Sequence, residues 1–300
     1  MFDAVGRLFR STPVTVAPAS SRPVGSPIGA AKLVEPGVPL AQVPASGLDD
    51  LITRAKRADV PRRIQTGPTC GLFAFGMVMD YWHQRDASAP TAIVREDDVG
   101  RKGFIESGVH YPGRYNFPPT TDEKLLTYAQ KAGLTQDGEL YDADNLAKVV
   151  SHFGYQVKVT DDATMADLYR LLDAGRPAII ALDFDTQAQR PADLGGMGAH
   201  YVVIEGYFDQ GGERYIVAKH GDNRGDDGDC VWRASDVQLA WNALRVNDFY
   251  ASSPLPSGLD LPAAGPGTHD IEAKLNDKLL EIIPPGTPFV LGGRTVAAPT

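Results

Sequence analysis

The order in which two hydrophobic periodicities follow one another constrains this chain more than any other feature. Between residues 48 and 251 the apolar positions first recur at helical spacing, over 68–82, 122–132, 143–153 and 165–174. Gly133, Gly154 and Gly175 stand where three of these helices would stop. Short helices are also expected over 48–56 and over 235–244, the second with Ser235 as its cap. The remaining runs are short, β-branched and bounded by turn residues, which predicts strands over 155–159, 177–184, 200–207, 214–219, 230–232 and 246–250. Asp209-Gln210-Gly211-Gly212 suits the turn of a hairpin. Residues 87–119 read as a long irregular loop from their Gly, Pro and Tyr content. Helices early and antiparallel strands late give an α+β fold.

Composition changes on both sides of this block. Residues 1–47 hold Pro13, Pro18, Pro23, Pro27, Pro36, Pro39 and Pro44, with no aromatic residue from 11 onward, so they cannot offset their ordering entropy by burial and read as a disordered leader. Residues 252–300 form a second Pro/Gly-rich zone, a tail interrupted at 270–283. There Ile271, Leu275, Leu279 and Ile282 recur at helical spacing before Pro284 and Pro285, predicting a helix that docks on the core or binds a partner. The domain proper is therefore expected at 48–251.

Charge and cysteine usage exclude several classes. A net charge of −9 argues against nonspecific nucleic-acid binding, and no apolar run of about 18 residues predicts a membrane span. Residues 1–10 lack the apolar core of a secretory signal. The expectation is a cytoplasmic protein, or one secreted without a cleavable signal, as an injected bacterial effector would be. Cys70 and Cys230 suit a reducing compartment and cannot build a disulfide framework or a four-thiolate zinc site, although a single bridge between them stays open.

Chemistry concentrates in two islands. In Gln65-Thr-Gly-Pro-Thr-Cys70-Gly, Gly67 and Pro68 turn the chain into a helix and place Cys70 in its first turn, where unpaired N–H groups and the helix dipole favour thiolate. Gln65 is set to offer an amide N–H to an oxyanion beside the Cys70 N–H. The bland reading is a small buried hydrophobe. His200 opens a strand, His-Tyr-Val-Val-Ile-Glu-Gly-Tyr, entered from a Gly-rich loop; its bland reading is a strand-edge histidine bonded to backbone. The acidic run 222–229 has calcium-type oxygen ligands but lacks the closing glutamate of a twelve-residue loop, so it reads as a solvated loop. Trp232 and Trp241 are expected to pack on the sheet edge, His83 and His152 on helix surfaces, and Cys230 in the core.

Gln-x-x-x-x-Cys-Gly opening a helix, then His-x-Val-x-x-x-Gly-Tyr, then Tyr215-Ile-Val-Ala-Lys219, resembles the papain-like clan of cysteine peptidases. Within it the islands are most similar to the bacteriocin leader-processing peptidases and the actin maturation protease. The resemblance spans 65–244 and implies a papain-like fold, with an N-terminal helical part carrying the cysteine and a C-terminal antiparallel sheet carrying the histidine. It also implies a Cys70–His200 thiolate–imidazolium pair, Gln65 in the oxyanion hole, no cofactor or metal, and a protein or peptide substrate.

The third member departs from that pattern. Papain-like enzymes place Asn or Asp just after the second strand to orient the histidine. Here His220 occupies that position, with Asp222 and Asn223 two and three residues later. Asp222 and His220 both remain candidates, Asn223 behind them. Two function classes follow: a cysteine peptidase, with deamidation, deubiquitination and acyl transfer open to the same machinery, or a descendant that keeps the fold and binds a peptide in the groove. Specificity is expected from the loops 87–119 and 187–198. All of this requires the sulfur and the imidazole, far apart in sequence, to meet across a cleft.

Overall fold

The computed structural model describes residues 52–53, 55–65, 67–95, 121–221, 229–245 and 271–298, and the backbone of 104–106 and 109–111. All lie in the unit Pro44–Thr300. The expected leader 1–47, the strand at 246–250, and Asp222 and Asn223 lie outside these residues.

One antiparallel sheet organises the molecule. Its strands are β1 (Lys56–Arg57), β4 (Gln156–Thr160), β5 (Ala178–Asp185), β6 (Arg190–Pro191), β7 (Ala199–Gln210), β8 (Glu213–Lys219), β9 (Asp229–Arg233), β10 (Leu279–Ile283) and β11 (Arg294–Thr295). The main path runs β11-β4-β10-β5-β7-β8-β9, with β1 beside β7 and β6 beside β5. A separate hairpin pairs β2 (Phe104–Glu106) with β3 (Val109–Tyr111), so the segment expected to be wholly irregular contains two strands. The β7–β8 turn is the expected hairpin, closed by Gly211 and Gly212 at φ +61° and +84°, a backbone region that favours glycine.

The helices are α1 (Cys70–Arg85), α2 (Leu125–Lys131), α3 (Ala143–His152), α4 (Met165–Asp173), α5 (Ala234–Trp241) and α6 (Ile271–Leu275). They cover both faces of the sheet, and side-chain alternation sorts the faces. Ile179, Ala181, Tyr201 and Val203 pack with α1 and α3, whereas Ala178, Ile180, Val202 and Ile204 pack with α4 and α5. Residues 71–81 of α1 are buried throughout, as expected of a helix apolar on all sides and sandwiched in the core. Thr164 and Asp167 form a capping box that starts α4. Helix α5 begins at Ala234 with Arg233 at the cap position, so Ser235 is not its cap. Trp232 and Trp241 are core residues at 3% and 1% exposure rather than edge covers.

The C-terminal zone departs most from expectation. Among its described residues helix is confined to 271–275; Leu279–Ile283 form β10, paired on one side with β4 and on the other with β5. The segment read as a tail thus supplies an interior strand, and the domain does not end at 251. Glu281, 1% exposed within this strand, pairs with Arg176 at 2.5 Å and accepts the N–H groups of Val290 and Leu291 at 2.8 and 2.9 Å. A buried charge persists when paired and fully hydrogen-bonded.

A second buried pair fixes the segment that leads to Gln65. Arg63 is fully buried and grips Asp80 of α1 through Nε and Nη2, both at 2.6 Å, while Nη1 donates to Ala92 O at 2.7 Å. Thr91 Oγ1 donates to the same carboxylate at 2.7 Å. Gly76 makes room, since a Cβ there would meet Arg63 Nη1 at 2.5 Å. Replacing one partner leaves the other charge buried and unpaired, so Arg63→Met is expected to cost about 3–5 kcal/mol in urea unfolding. The double variant Arg63→Met/Asp80→Leu should cost less than Arg63→Met alone; an equal or larger cost would show that packing, not the stranded charge, sets the penalty.

Candidate active site

Four chain segments bring the sequence-predicted residues together. Thr69 precedes α1 with Cys70 as its first residue. Helix α1 packs on β7, and a Cβ at Gly71 would sit 3.0 Å from the Tyr201 ring, so the helix start lies directly against the strand that carries His200. The backbone N–H groups of Tyr201, the residue after His200, of Gly71 and of Cys70 itself favour the ionised form of the Cys70 thiol.

The histidine comes from the other face. Leu182 of β5 lies opposite His200, and the Phe184 ring stacks on His200 at 5.0 Å between centroids. Strand β8 pairs with β7 only as far as Val203–Lys219, so the chain leaving β8 at His220 arrives beside the start of β7. His200 Nε2 and His220 Nδ1 are 3.3 Å apart. The next residue, Gly221, accepts the Gln65 N–H at 2.8 Å. A Cβ at Gly221 would meet that of Gln65 at 2.4 Å, so only glycine permits this approach. Gln65 and His220 therefore lie beside His200 at the start of β7, and Cys70 begins the helix that packs on the next residue, Tyr201.

Electrostatics differ from the sequence expectation at the thiol. The helix-start N–H groups do favour thiolate, but burial outweighs them and pushes the Cys70 thiol up to about 11. The residue as a whole keeps partial exposure. His220 is fully buried, and burial, with the nearby His200 and Arg62, drives its pKa down to about 2. It is neutral at any working pH. His200 can hold a proton on Nε2 only if His220 Nδ1 is bare, which places the His220 proton on its own Nε2. Gln65 Nε2 donates to Gly67 O at 2.8 Å, which fixes the amide plane and commits one of its two N–H groups.

Asp183 was not singled out by sequence, although a polar residue inside the apolar run 177–184 is a signal of its own. Fully buried on β5, it accepts the N–H groups of Leu194, Gly196 and Gly198 at 2.5, 2.8 and 2.8 Å, holding the Gly-rich loop that leads into His200. Gly198 itself has no room for a side chain, since a Cβ would lie 2.4 Å from Phe184 O. Three bonds to a carboxylate are each worth about 1.5–3 kcal/mol. Asp183→Ala should lower unfolding stability by about 3 kcal/mol or more and speed hydrogen exchange at the three amides; unchanged exchange there would remove this role.

Other residues sit outside the locality. Cys70 and Cys230 form no disulfide, and Cys230 is partly exposed on β9. His83 Nδ1 meets Ala89 O at 2.8 Å, and His152 pairs with Glu123 at 2.7 Å while stacking on Tyr128. Among the described residues no group of three or more His, Cys, Asp or Glu side chains could hold a metal, and no helix is long and apolar enough to cross a membrane. A cavity of about 190 Å³ lies elsewhere, between Thr164, Gln238, Trp241 and Asp277.

Residues 114–208 match a family model described as Actin maturation protease-like, C-terminal domain. This relates the chain to the papain-like cysteine peptidases. The matched segment runs through α2, α3, α4 and β5 into β7 and contains His200, Asp183 and Glu139; Gln65, Cys70 and His220 lie outside it. A crystal structure of a Bacillus anthracis protein named as a C39-like peptidase aligns with 62% of this chain and 91% of its own, at 15% identity and a TM-score of 0.37. No curated protein matches the chain. The mixed helical and antiparallel architecture is that of an α+β fold.

Proposed function

We propose that this papain-like relative is a cysteine peptidase in which Cys70 and His200 form the reacting pair. The observation that carries the reading is the packing of the start of α1 on the start of β7, where a Cβ at Gly71 would lie 3.0 Å from the Tyr201 ring, next to the residue whose imidazole meets His220 at 3.3 Å. The thiol passes its proton to His200 Nδ1, because Nε2 faces His220. Neutral His220 acts as the acceptor that orients the ring, in the position where a carboxamide or carboxylate stands in the related enzymes. The thiolate attacks the scissile carbonyl, and the oxyanion takes the Cys70 N–H and the second N–H of Gln65 Nε2. His200 gives its proton to the leaving amine, and water, deprotonated by the same ring, hydrolyses the thioester. The test is a search for new protein N-termini in a lysate treated with wild type or with Cys70→Ala. A set generated by wild type alone is expected, and identical sets would end the reading.

A peptide-binding module that keeps the fold is the second reading, favoured by the burial that holds the Cys70 thiol protonated and by the neutral third member. Labelling by a thiol-directed electrophile separates the two. A peptidase makes Cys70 far more reactive than Cys230, whereas a binding module leaves them alike.

A further inference from the structure

The loop between α2 and α3 holds a carboxylate that the reaction just described does not use. Gly138 is pressed onto the nucleophile segment: a Cβ there would lie 2.4 Å from Thr69 Cγ2 and 3.0 Å from Pro68 O. Leu140 is buried and reaches the same place, 3.5 Å from where a Cβ of Gly71 would be. Glu139 stands between them, its backbone fixed by Thr135 Oγ1 donating to its carbonyl at 2.7 Å and by its N–H donating to Asp137 at 3.1 Å. The contacts of Gly138 and Leu140 thus hold the Glu139 backbone beside the segment 68–71, close enough for a negative charge there to disfavour the Cys70 thiolate.

The buried or half-buried acids nearby are paired with cations, and Glu139 is not. Asp142 pairs with Lys274 at 3.1 Å, Asp144 pairs with Arg294, and Asp137 is exposed and bonded within its own turn. Among the described residues no lysine or arginine pairs with Glu139. Burial and the adjacent Asp137 push its carboxyl up to about 7, the behaviour of an anion that lacks a counter-charge. A half-buried, unpaired carboxylate beside a nucleophile has a net cost to the folded protein that a cationic ligand would remove. It would also oppose formation of a thiolate at Cys70, unless a positive charge arrives with the substrate.

We infer that Glu139 is a specificity-determining residue and that the substrate presents a cation, an ammonium or guanidinium, next to the bond that Cys70 attacks. The inference rests on Cys70 being the nucleophile. The cation has two sources in a polypeptide, a Lys or Arg side chain or a free α-amino terminus. Aimed into the site, either would complete the Glu139 ion pair and offset its field at the sulfur. An acidic residue at the same place would meet two negative groups.

Two measurements test this and fail independently. The first uses paired methanethiosulfonate reagents, one carrying trimethylammonium and one sulfonate, on a Cys230→Ser background so that only Cys70 reacts. Wild type should favour the cationic reagent by about tenfold, Glu139→Gln should reduce that ratio to near unity after correction for intrinsic rates, and Glu139→Lys should invert it. A ratio indifferent to both substitutions overturns the inference whatever the protein cleaves. The second measures kcat/KM on peptides identified from wild-type cleavage, remade with Lys, Gln or Glu beside the scissile bond, and with free or acetylated N-termini. A Lys preference lost in Glu139→Gln assigns an internal basic side chain. A preference for the free terminus, lost in the same variant, assigns the α-amine, and equal rates across the series overturn the inference. Charge-selective labelling without cleavage of any peptide would support cation selection while overturning the peptidase reading.

Discussion

Alanine at His200 is expected to cut the alkylation rate of Cys70 at pH 7 by about a thousandfold. With burial holding the thiol at about 11, an unassisted Cys70 is thiolate in only about one molecule in ten thousand at neutral pH. In the proposed pair, proton transfer to His200 makes the ionised form dominant, and the lower nucleophilicity of a paired thiolate takes back about a factor of ten. The sign of the pH dependence follows. The thiol's folded pKa is raised, so reactivity of His200→Ala should climb about tenfold per pH unit from 7 toward 11. Wild type should instead show a plateau through neutrality. Iodoacetamide rates across pH on a Cys230→Ser background measure both, and parallel profiles for the two proteins would show that the ring does not ionise the sulfur.

Removal of residues 271–300 should abolish cooperative folding rather than release a disposable tail. Leu279, Leu280, Ile282 and Ile283 are each 0–2% exposed. Burial of four such side chains contributes about 6–12 kcal/mol, comparable with the whole stability of a typical domain. The deletion also strips hydrogen-bond partners from β4 and β5 and the acceptor of Trp82 Nε1, which donates to Ile282 O at 2.9 Å. The truncated chain should lose near-ultraviolet circular dichroism and bind hydrophobic dyes. A sharp urea transition at the full-length midpoint would refute this.

Where one face of an element is buried and the other wet, the sequence predicts it well. Helices α3 and α4 were expected at 143–153 and 165–174 and occur at Ala143–His152 and Met165–Asp173, because their stripes and stop glycines agree. Strand β10 was misread for the converse reason. Buried between two strands and covered on both faces, Leu279-Leu-Glu-Ile-Ile283 shows no alternation, and its apolar residues happened to continue the helical spacing from Ile271. The site was legible in part. Gln65, Cys70, His200 and His220 stand in motifs whose resemblance to papain-like peptidases implies a meeting. Asp183 and Glu139 acquire meaning only through what the fold lays against them, the 194–198 amides in one case and Thr69 with Gly71 in the other. The cysteine's ionisation was misjudged because local helix-start chemistry is visible in sequence, while the desolvation that outweighs it is set by distant packing.

The position of β10 also governs when the molecule can be completed during synthesis. Strands β4 and β5 leave the ribosome well before Leu279 is made, and at roughly 5–20 residues per second their common neighbour follows only after several seconds. Until then the nascent sheet has an open slot in its middle, and the helix bearing Cys70 lacks the anchor that Trp82 finds on Ile282. The growing chain therefore cannot finish its fold progressively from one end, and its completion waits for the arrival of a single late segment.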